Sequence, residues 1–332
     1  MHALWREWLN QPGIELKDDR VITTPAHDRS TTVVPLTEAC IISVSGPDAH
    51  KFLQGQLSCD LADVDRLGSL PGAHCNIKGH MHSLYQVIRA EEARYWLRTR
   101  SSMAADALAL LKKYIIFSKA DAVQQDDLLG IGLCGPNAVS LTQQLEQAIP
   151  DASQARHDDT LSEFWFPAER LEEVMSLATA TAGLGNSNAW ELAAVDAAIP
   201  DLFPATREAF IPQMTNLQAF DGVSFTKGCY TGQEIVTRLQ HRGQLKRPMY
   251  LAEIETAQPP TPGMPLASDN RANVGQLVRV AQCGEQRYRV LAVIIKEQAE
   301  QQSIHLEDAE GAQLQLMPLP YVLDPRLFES KR

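Results

Sequence analysis

Apolar and polar positions alternate through Cys40-Ile41-Ile42-Ser43-Val44-Ser45, and Gly46-Pro47-Asp48-Ala49 follows before a run of helical spacing through Leu57. The pattern predicts a strand, a turn and a helix, with proline just inside the helix start, where its fixed φ fits. The same grammar returns about ninety residues later, as a strand over 128–134, Gly135-Pro136-Asn137-Ala138, and a helix over 139–148. A strand–GP[DN]A–helix unit used twice predicts two similar α+β halves. Between the units, 74–77 and 83–90 are expected to form a hairpin around Lys78-Gly79, then a strand at 95–99 and a helix over 101–113. The later half predicts a strand at 161–166, a helix over 167–181, a turn at 183–188 and a helix over 189–198 that stops before Pro200. After Arg247 the period shortens to strands at 249–254, 274–280, 288–295, 303–307 and 313–316, separated by turns such as Pro259-Pro260-Thr261-Pro262-Gly263. That stretch predicts a small β-barrel or sandwich. The fold class expected is α+β. Its domains are 1–125, 126–245 and a C-terminal β domain over 246–332. Residues 1–30 read as a short amphipathic opening and a polar, weakly patterned segment in which partial disorder is expected.

Composition narrows the class. A chain of 332 residues, 44% hydrophobic and 21% charged, is globular and long enough for two or three domains. No apolar run approaches the roughly 20 residues of a membrane span, and the N-terminus lacks a signal-peptide core. Six scattered cysteines without a C-x-x-C pair suit a reducing compartment, so a cytoplasmic location without membrane attachment is expected. The net charge of −11 speaks against coating nucleic acid over a large face but leaves room for a local basic site. Nucleotide-binding glycine motifs are absent.

The sharpest chemistry lies in residues 225–250. Lys227-Gly228-Cys229-Tyr230-Thr231-Gly232-Gln233-Glu234 puts an amine, a thiol, two glycines and a carboxylate into eight positions. Thr231 and Glu234 have the spacing of a capping box, so a helix is expected to start at Gly232, bury Ile235, Val236 and Leu239, and end at Gly243. Cys229 would then precede a helix N-terminus, with Lys227 two residues away, and both features favour a thiolate. Cys229 and Lys227 are therefore the catalytic candidates. The alternative for Cys229 is a small buried residue beside a tight turn. The stretch carries five basic residues against one acid, a net of +4 on an acidic chain. Such an island suits an anionic partner, a phosphate, a glutamate tail or RNA, unless its cations simply pair within the fold. Near the expected boundary at 245 it would sit at a domain seam, where ligand pockets favour forming.

The octapeptide closely resembles the signature of the YgfZ family, folate-binding, tRNA-modification-associated relatives of the glycine-cleavage T-protein. Phe52-Leu53-Gln54-Gly55-Gln56, Leu111-Lys112-Lys113-Tyr114, Ile211–Ala219 and Pro318-Leu319-Pro320-Tyr321 extend the resemblance from Leu36 to Pro320. It implies a three-domain fold, two α+β (ferredoxin-like) domains and a C-terminal β-barrel, around a central opening. It implies tetrahydrofolate as cofactor and a role in maintaining iron–sulfur enzymes, among them a tRNA thiomethylase, without established turnover. Of the family's two folate-contacting tryptophans one falls at Trp190; the other aligns with Cys40, where this chain departs from the pattern. The cofactor contacts so implied are Trp190, the Cys40 position, Asp196, Tyr230, Gln233, Glu234, Arg238 and Arg242.

The residues support a pterin reading in their own right. An aromatic wall, a carboxylate for the amino-pyrimidine edge and cations for a glutamate tail are what folate needs, and Trp190, Asp196 and the island arginines supply them. Trp190 as a core indole and Asp196 as a solvated helix residue stand beside that reading. Aminomethyl transfer, the T-protein's own reaction, is the alternative function. It uses an aspartate on a hairpin whose counterpart here, Asn76–Ser83, has no carboxylate. His74, Cys75, His80 and His82 match no established zinc spacing, and no metal is expected. A plain RNA-binding module sits poorly with an acidic chain of 6% aromatics, though weak tRNA contact at the basic island is expected.

Overall fold

The computed structural model describes residues 1–23, 30–307 and 311–329, except the Arg242 side chain. The chain divides into two compact units, neither contiguous in sequence. Unit one comprises residues 1–53, 61–70 and 85–193, and unit two comprises 54–60, 71–84 and 194–332.

The chain opens with α1 (Ala3–Trp8) and the hairpin β1 (Ile14–Lys17) and β2 (Arg20–Thr23). The sequence pattern was too short to reveal these elements. Trp5, Leu9 and Val21 are buried in the same core as Phe164 and Phe166, which corrects the expectation of disorder for the part of residues 1–30 described here. Burial of Trp5, Leu9 and Val21 contributes towards the ordering cost of the segment, alongside the β1–β2 pairing.

Next come β3 (Thr32–Pro35), β4 (Ala39–Ser45), α2 (Ala49–Gln56), α3 (Leu61–Leu67), β5 (Ser69–Cys75), β6 (Met81–Glu91), β7 (Arg94–Arg100) and α4 (Ser101–Ile115). The second half carries β8 (Asp121–Gln125), β9 (Leu128–Cys134), α5 (Ala138–Ala148), β10 (Ser153–Arg156), β11 (Leu161–Pro167), α6 (Leu171–Thr181), β12 (Gly183–Leu184) and α7 (Ser187–Asp196). Two five-stranded sheets result, in the orders β5-β6-β7-β4-β8 and β10-β11-β9-β3-β12. The far end of the β5–β6 hairpin, residues 71–84, is counted with unit two.

The repeated unit survives in backbone detail. Gly46 and Gly135 sit at φ +123° and +121°, and a Cβ on either would lie 2.5 Å from Lys119 O or 2.3 Å from Ser30 O. Only glycine fits both positions. Ala49 N–H donates to Gly46 O at 2.9 Å and Ala138 N–H to Gly135 O at 3.0 Å, closing the same turn twice. β8 completes the first sheet beside β4, and β3 from the first half pairs with β9 of the second.

Beyond α7, unit two continues through four-residue 3₁₀ turns at Pro212–Thr215 and Leu217–Phe220 and then α8 (Gln233–Arg242). It ends in β13 (Met249–Glu255), β14 (Pro265–Ser268), β15 (Arg271–Gly284), β16 (Arg287–Ile294), α9 (Lys296–Gln301), β17 (Ile304–Leu306) and β18 (Leu314–Met317). These strands form one antiparallel sheet ordered β17-β14-β15-β16-β13-β18. Register shifts at Leu277/Arg279 and Gln282/Gly284 bend the long strand β15, as bulges do. The His305–Gln313 bridge draws the two edge strands towards each other, and Ile254, Leu266, Leu277, Val290 and Ile304 fill the interior. The result is a half-barrel. Among the described residues no helix is long and apolar enough to cross a membrane.

Truncating Trp5 tests the assignment of the N-terminal segment to the core. Trp5→Ala should cost about 3 kcal/mol, seen as a lower urea midpoint at unchanged m-value. An unchanged midpoint would detach residues 1–23 from the fold.

Candidate functional site

Three segments of unit two build the signature loop. Lys227 Nζ donates to Leu57 O at 2.9 Å and to Cys59 O at 2.6 Å, and lies 5.2 Å from the centre of the Tyr230 ring. Ser224 N–H donates to Ser58 O at 2.8 Å and Thr231 N–H to Gly55 O at 3.2 Å, so the loop runs along residues 55–59. Gly232, at φ +82°, then meets the hairpin tip; a Cβ there would stand 2.5 Å from Asn76 O and 2.9 Å from Cys75 Cβ. Any other residue would carry both a strained backbone and a collision.

Gly232 is also the N-cap of α8, which begins at Gln233 with no side-chain cap. The expected capping box between Thr231 and Glu234 is therefore absent, because a left-handed glycine, chosen for the contact with Asn76, occupies the position a capping side chain would need. Gly243 ends the helix as expected. Of the expected buried stripe, Val236 is fully buried, whereas Ile235 is exposed beside Gly79. Gln213, itself buried, donates to Val236 O at 2.6 Å and anchors the helix to the Ile211–Ala219 block.

Cys229 is exposed, and a Cβ on its neighbour Gly228 would meet nothing within 4 Å. The thiol is presented on a fixed loop with open space beside it. Lys227 takes a different place from the one expected of it. Its ammonium is committed to two carbonyl oxygens, and burial lowers its pKa to about 8 against the nearby Cys59 and Asp60. It is the loop's anchor. Tyr230 is buried, and burial pushes its phenol well above the usual range. Gln233 is half-buried, while Glu234, Arg238 and Lys246 face solvent. The side chain of Arg242 lies outside the described residues.

At the hairpin tip the structure supplies a group that sequence reasoning missed. Asn76 Nδ2 donates to Glu208 Oε1 at 2.8 Å, and His82 Nε2 stands 3.3 Å from the same oxygen. Glu208 holds φ +59° and its carboxyl is held below the usual range, first by the Asn76 hydrogen bond. No sequence signal links positions 76 and 208. His74 is buried, and burial lowers its pKa to about 4. Among the described residues no three His, Cys, Asp or Glu side chains gather as a metal site.

The tryptophan candidate lies in unit one. Gly130 and Gly132 lie two apart on β9 and clear space for two indoles; a Cβ would stand 2.8 Å from the Trp165 ring or 2.2 Å from that of Trp190. Trp190 is 5% exposed and packs edge-on against His157, ring centres 5.9 Å apart. Glu163 is wholly buried beside these rings. It accepts from Trp165 Nε1 at 2.8 Å, contacts His157 Nε2 at 3.0 Å and pairs with Arg98 at 3.2 Å. Burial raises the Glu163 pKa, but the Arg98 charge and the His157 and Trp165 hydrogen bonds outweigh it and hold it at about 2. The pocket beside Trp190, lined also by Arg98, Arg100, Glu38 and Glu191, holds about 20 Å³, one water's worth of space. Arg100 pairs with both Glu191 and Glu38 there.

The same segment, Leu36 to Ala39, lines a second cavity of about 330 Å³ with Cys40, Ser101, Gln124, Asp126 and Trp165. Burial pushes the Cys40 thiol up to about 11, although a hydrogen bond with Ser101 opposes the shift. Asp196, at the end of α7, pairs with Arg289 at 2.8 Å; burial raises its carboxyl and Arg289 lowers it. Its acceptor oxygens already have a cationic partner within unit two.

A chain of 308 aligned residues, covering 88% of this one and 94% of the relative, is 34% identical to the tRNA-modifying protein YgfZ of Klebsiella pneumoniae (strain 342). The chain belongs to the YgfZ family. Its Sodalis glossinidius (strain morsitans) relative of the same description is 33% identical over 90% of the chain and 95% of the relative. No protein-family model matches the chain. The fold matches that of the glycine cleavage system aminomethyltransferase T from Bartonella henselae, with a TM-score of 0.76 at 15% identity, covering 97% and 98% of the two chains. At that identity the likeness establishes the mixed α+β fold of this YgfZ-family chain.

Two measurements check this geometry. Cys229 should alkylate fastest of the six thiols near pH 7, because Cys59, Cys75 and Cys134 are buried and burial pushes Cys75 and Cys134 up to about 12. Uniform labelling would refute the exposed-thiol geometry. Glu163→Gln should cost about 3 kcal/mol at pH 7 by removing the buried charge that Arg98 and His157 meet. A carboxyl with a depressed folded pKa contributes stability above its ordinary value, here 4.5, and loses it as pH falls through about 2. The gap between wild type and variant should therefore close over that window in urea titrations; a constant gap would show that Glu163 is not ionised in the fold.

Proposed function

We propose that this chain is a tetrahydrofolate-binding accessory protein that supports tRNA modification, thiomethylation in particular, and the upkeep of iron–sulfur enzymes, with Cys229 as its working thiol. The observation that carries the reading is the signature loop, in which Lys227 and Gly232 fix the backbone on either side of an exposed sulfur. A protein named for tRNA modification is 34% identical over 88% of this chain. The three-domain layout, two α+β domains followed by a β-barrel, belongs to the same reading, as does a cytoplasmic location.

The second cavity of unit one is the place in which this reading would put tetrahydrofolate. About 330 Å³ lies within the range of ligand pockets, and Asp126 offers a carboxylate and Gln124 an amide, while the buried Trp165 reaches the cavity only marginally. Cys40, in place of a second indole, leaves that space open. Trp190 would contribute only if the Arg100 pairs beside it opened, since its own pocket holds about one water. Bound there, the folate would supply one-carbon chemistry. The residues of this chain bind and orient it and keep water from its ring.

Aminomethyl transfer is the second reading, and Glu208 is what favours it. The hairpin 76–83 has no carboxylate of its own, yet Glu208 brings one to Asn76 and His82. As a carboxylate held at the hairpin tip, it would stabilise developing positive charge there.

Tetrahydrofolate at about 100 times its Kd should stabilise the protein by about 2.7 kcal/mol and quench tryptophan emission. Cys229→Ala should keep that binding yet fail to restore thiomethylated tRNA in a strain lacking the gene. Absence of any folate-linked stabilisation would overturn the cofactor assignment. Aminomethyl-transfer turnover lost in Glu208→Gln would decide for the second reading.

A further inference from the structure

The end of α4 has no part in the site described above. Leu111 and Ile115 are buried and hold the helix to its sheet, while Lys112, Lys113, Tyr114, Ile116, Phe117 and Lys119 are exposed. Phe117 is 94% exposed and Ile116 68%. Two large apolar side chains standing side by side in water are not explained by packing, whereas single ones would be unremarked.

The turn that carries them is fixed. Ser118 N–H donates to Ile115 O at 2.8 Å, Lys119 N–H donates to the Asp48 carboxylate at 2.7 Å, and Asp48 N–H donates to Lys119 O at 3.2 Å. Gly46, the glycine of the first repeated unit, leaves room for Lys119 O to come that close. Phe117 is therefore displayed on a rigid support, so docking onto it would cost little ordering entropy. Residues 112–119 carry three lysines and no acid of their own, on a chain of net charge −11, and the Asp48 carboxylate that meets the turn is engaged by Lys119 N–H. Lys113 Nζ stands 5.4 Å from the Tyr114 ring centre.

Exposed rings flanked by ammonium groups are the chemistry of unpaired RNA bases, which stack on aromatic faces while lysines neutralise neighbouring phosphates. A lipid surface would call for a broad apolar helix face, but α4 turns Met103, Ala107, Leu111 and Ile115 inward. We propose that the turn Lys112–Lys119 is an RNA-docking surface, with Phe117 and Tyr114 stacking on unpaired bases and Lys112, Lys113 and Lys119 holding the phosphates. This rests on the tRNA-related part of the proposed function and names the surface that would serve it.

Fluorescence anisotropy of the full chain with an unmodified tRNA transcript and with a single-stranded oligoribonucleotide tests it. Phe117→Ala should weaken binding roughly tenfold, the worth of one base stack. Replacing all three lysines by glutamine should lower the salt slope by about 2, at about 0.7 per phosphate contact. Thermal unfolding should be unchanged in both variants, because every altered side chain faces solvent. Undiminished binding in both variants, with loss in Arg238→Gln, would move docking to the other basic stretch and overturn the proposal while the tRNA-related reading stands. Absence of RNA binding by the wild type, with thiomethylation still dependent on the gene, would also overturn it and leave that reading intact. Preference for phosphatidylserine vesicles over RNA would overturn it in favour of a lipid surface. Thiomethylation independent of the gene would instead remove the reading itself.

Discussion

The hydrogen bonds of the Lys227 ammonium are the interaction on which the signature loop of unit two depends. The ammonium reaches the carbonyls of Leu57 and Cys59, main-chain acceptors far away in sequence, and its burial makes the contact costly to lose. With that end of the loop tied down, Gly232 can press its backbone against Asn76 only because it lacks a side chain. Cys229 lies between these two anchors and faces water. The loop's rigidity and the thiol's exposure thus have one cause, a backbone held at both ends by groups on other segments. The same arrangement explains why helix α8 starts without a side-chain cap, since the capping position is given over to the turn.

Unit one follows a different rule. Two glycines on one strand make room for two indoles, and a buried carboxylate gathers a guanidinium, an imidazole and an indole N–H around them. An ionised buried group survives only with such partners, because desolvation by itself would neutralise it. The cluster spends its charges internally and closes the space beside Trp190. The larger cavity lies on the other side of the Leu36–Ala39 segment, and Cys40 is among the residues that line it.

The repeated strand–turn–helix unit links architecture to surface. Its glycine must take a left-handed conformation and admit a carbonyl oxygen, and in the first copy that carbonyl belongs to Lys119. The turn bearing Phe117 is held by the same contact that closes the first repeat. A feature read as fold grammar therefore also fixes an exposed aromatic ring in place.

Local pattern determined most elements of the chain: the twice-used strand–GP[DN]A–helix unit, the long helices, the change to short strands after Arg247 and the identity of the signature. These are set by residues a few positions apart, and the α+β class follows from them. The helix and hairpin of residues 1–23 escaped because their order comes from burying Trp5 and Val21 among residues more than a hundred positions away. Pairing across long separations was equally invisible: Lys227 with Leu57, Glu208 with Asn76, Glu163 with Arg98 and Asp196 with Arg289. Sequence names the charged groups a chain possesses. Which charges meet, and which are left to face a ligand, is decided only when the backbone brings distant segments within hydrogen-bonding distance.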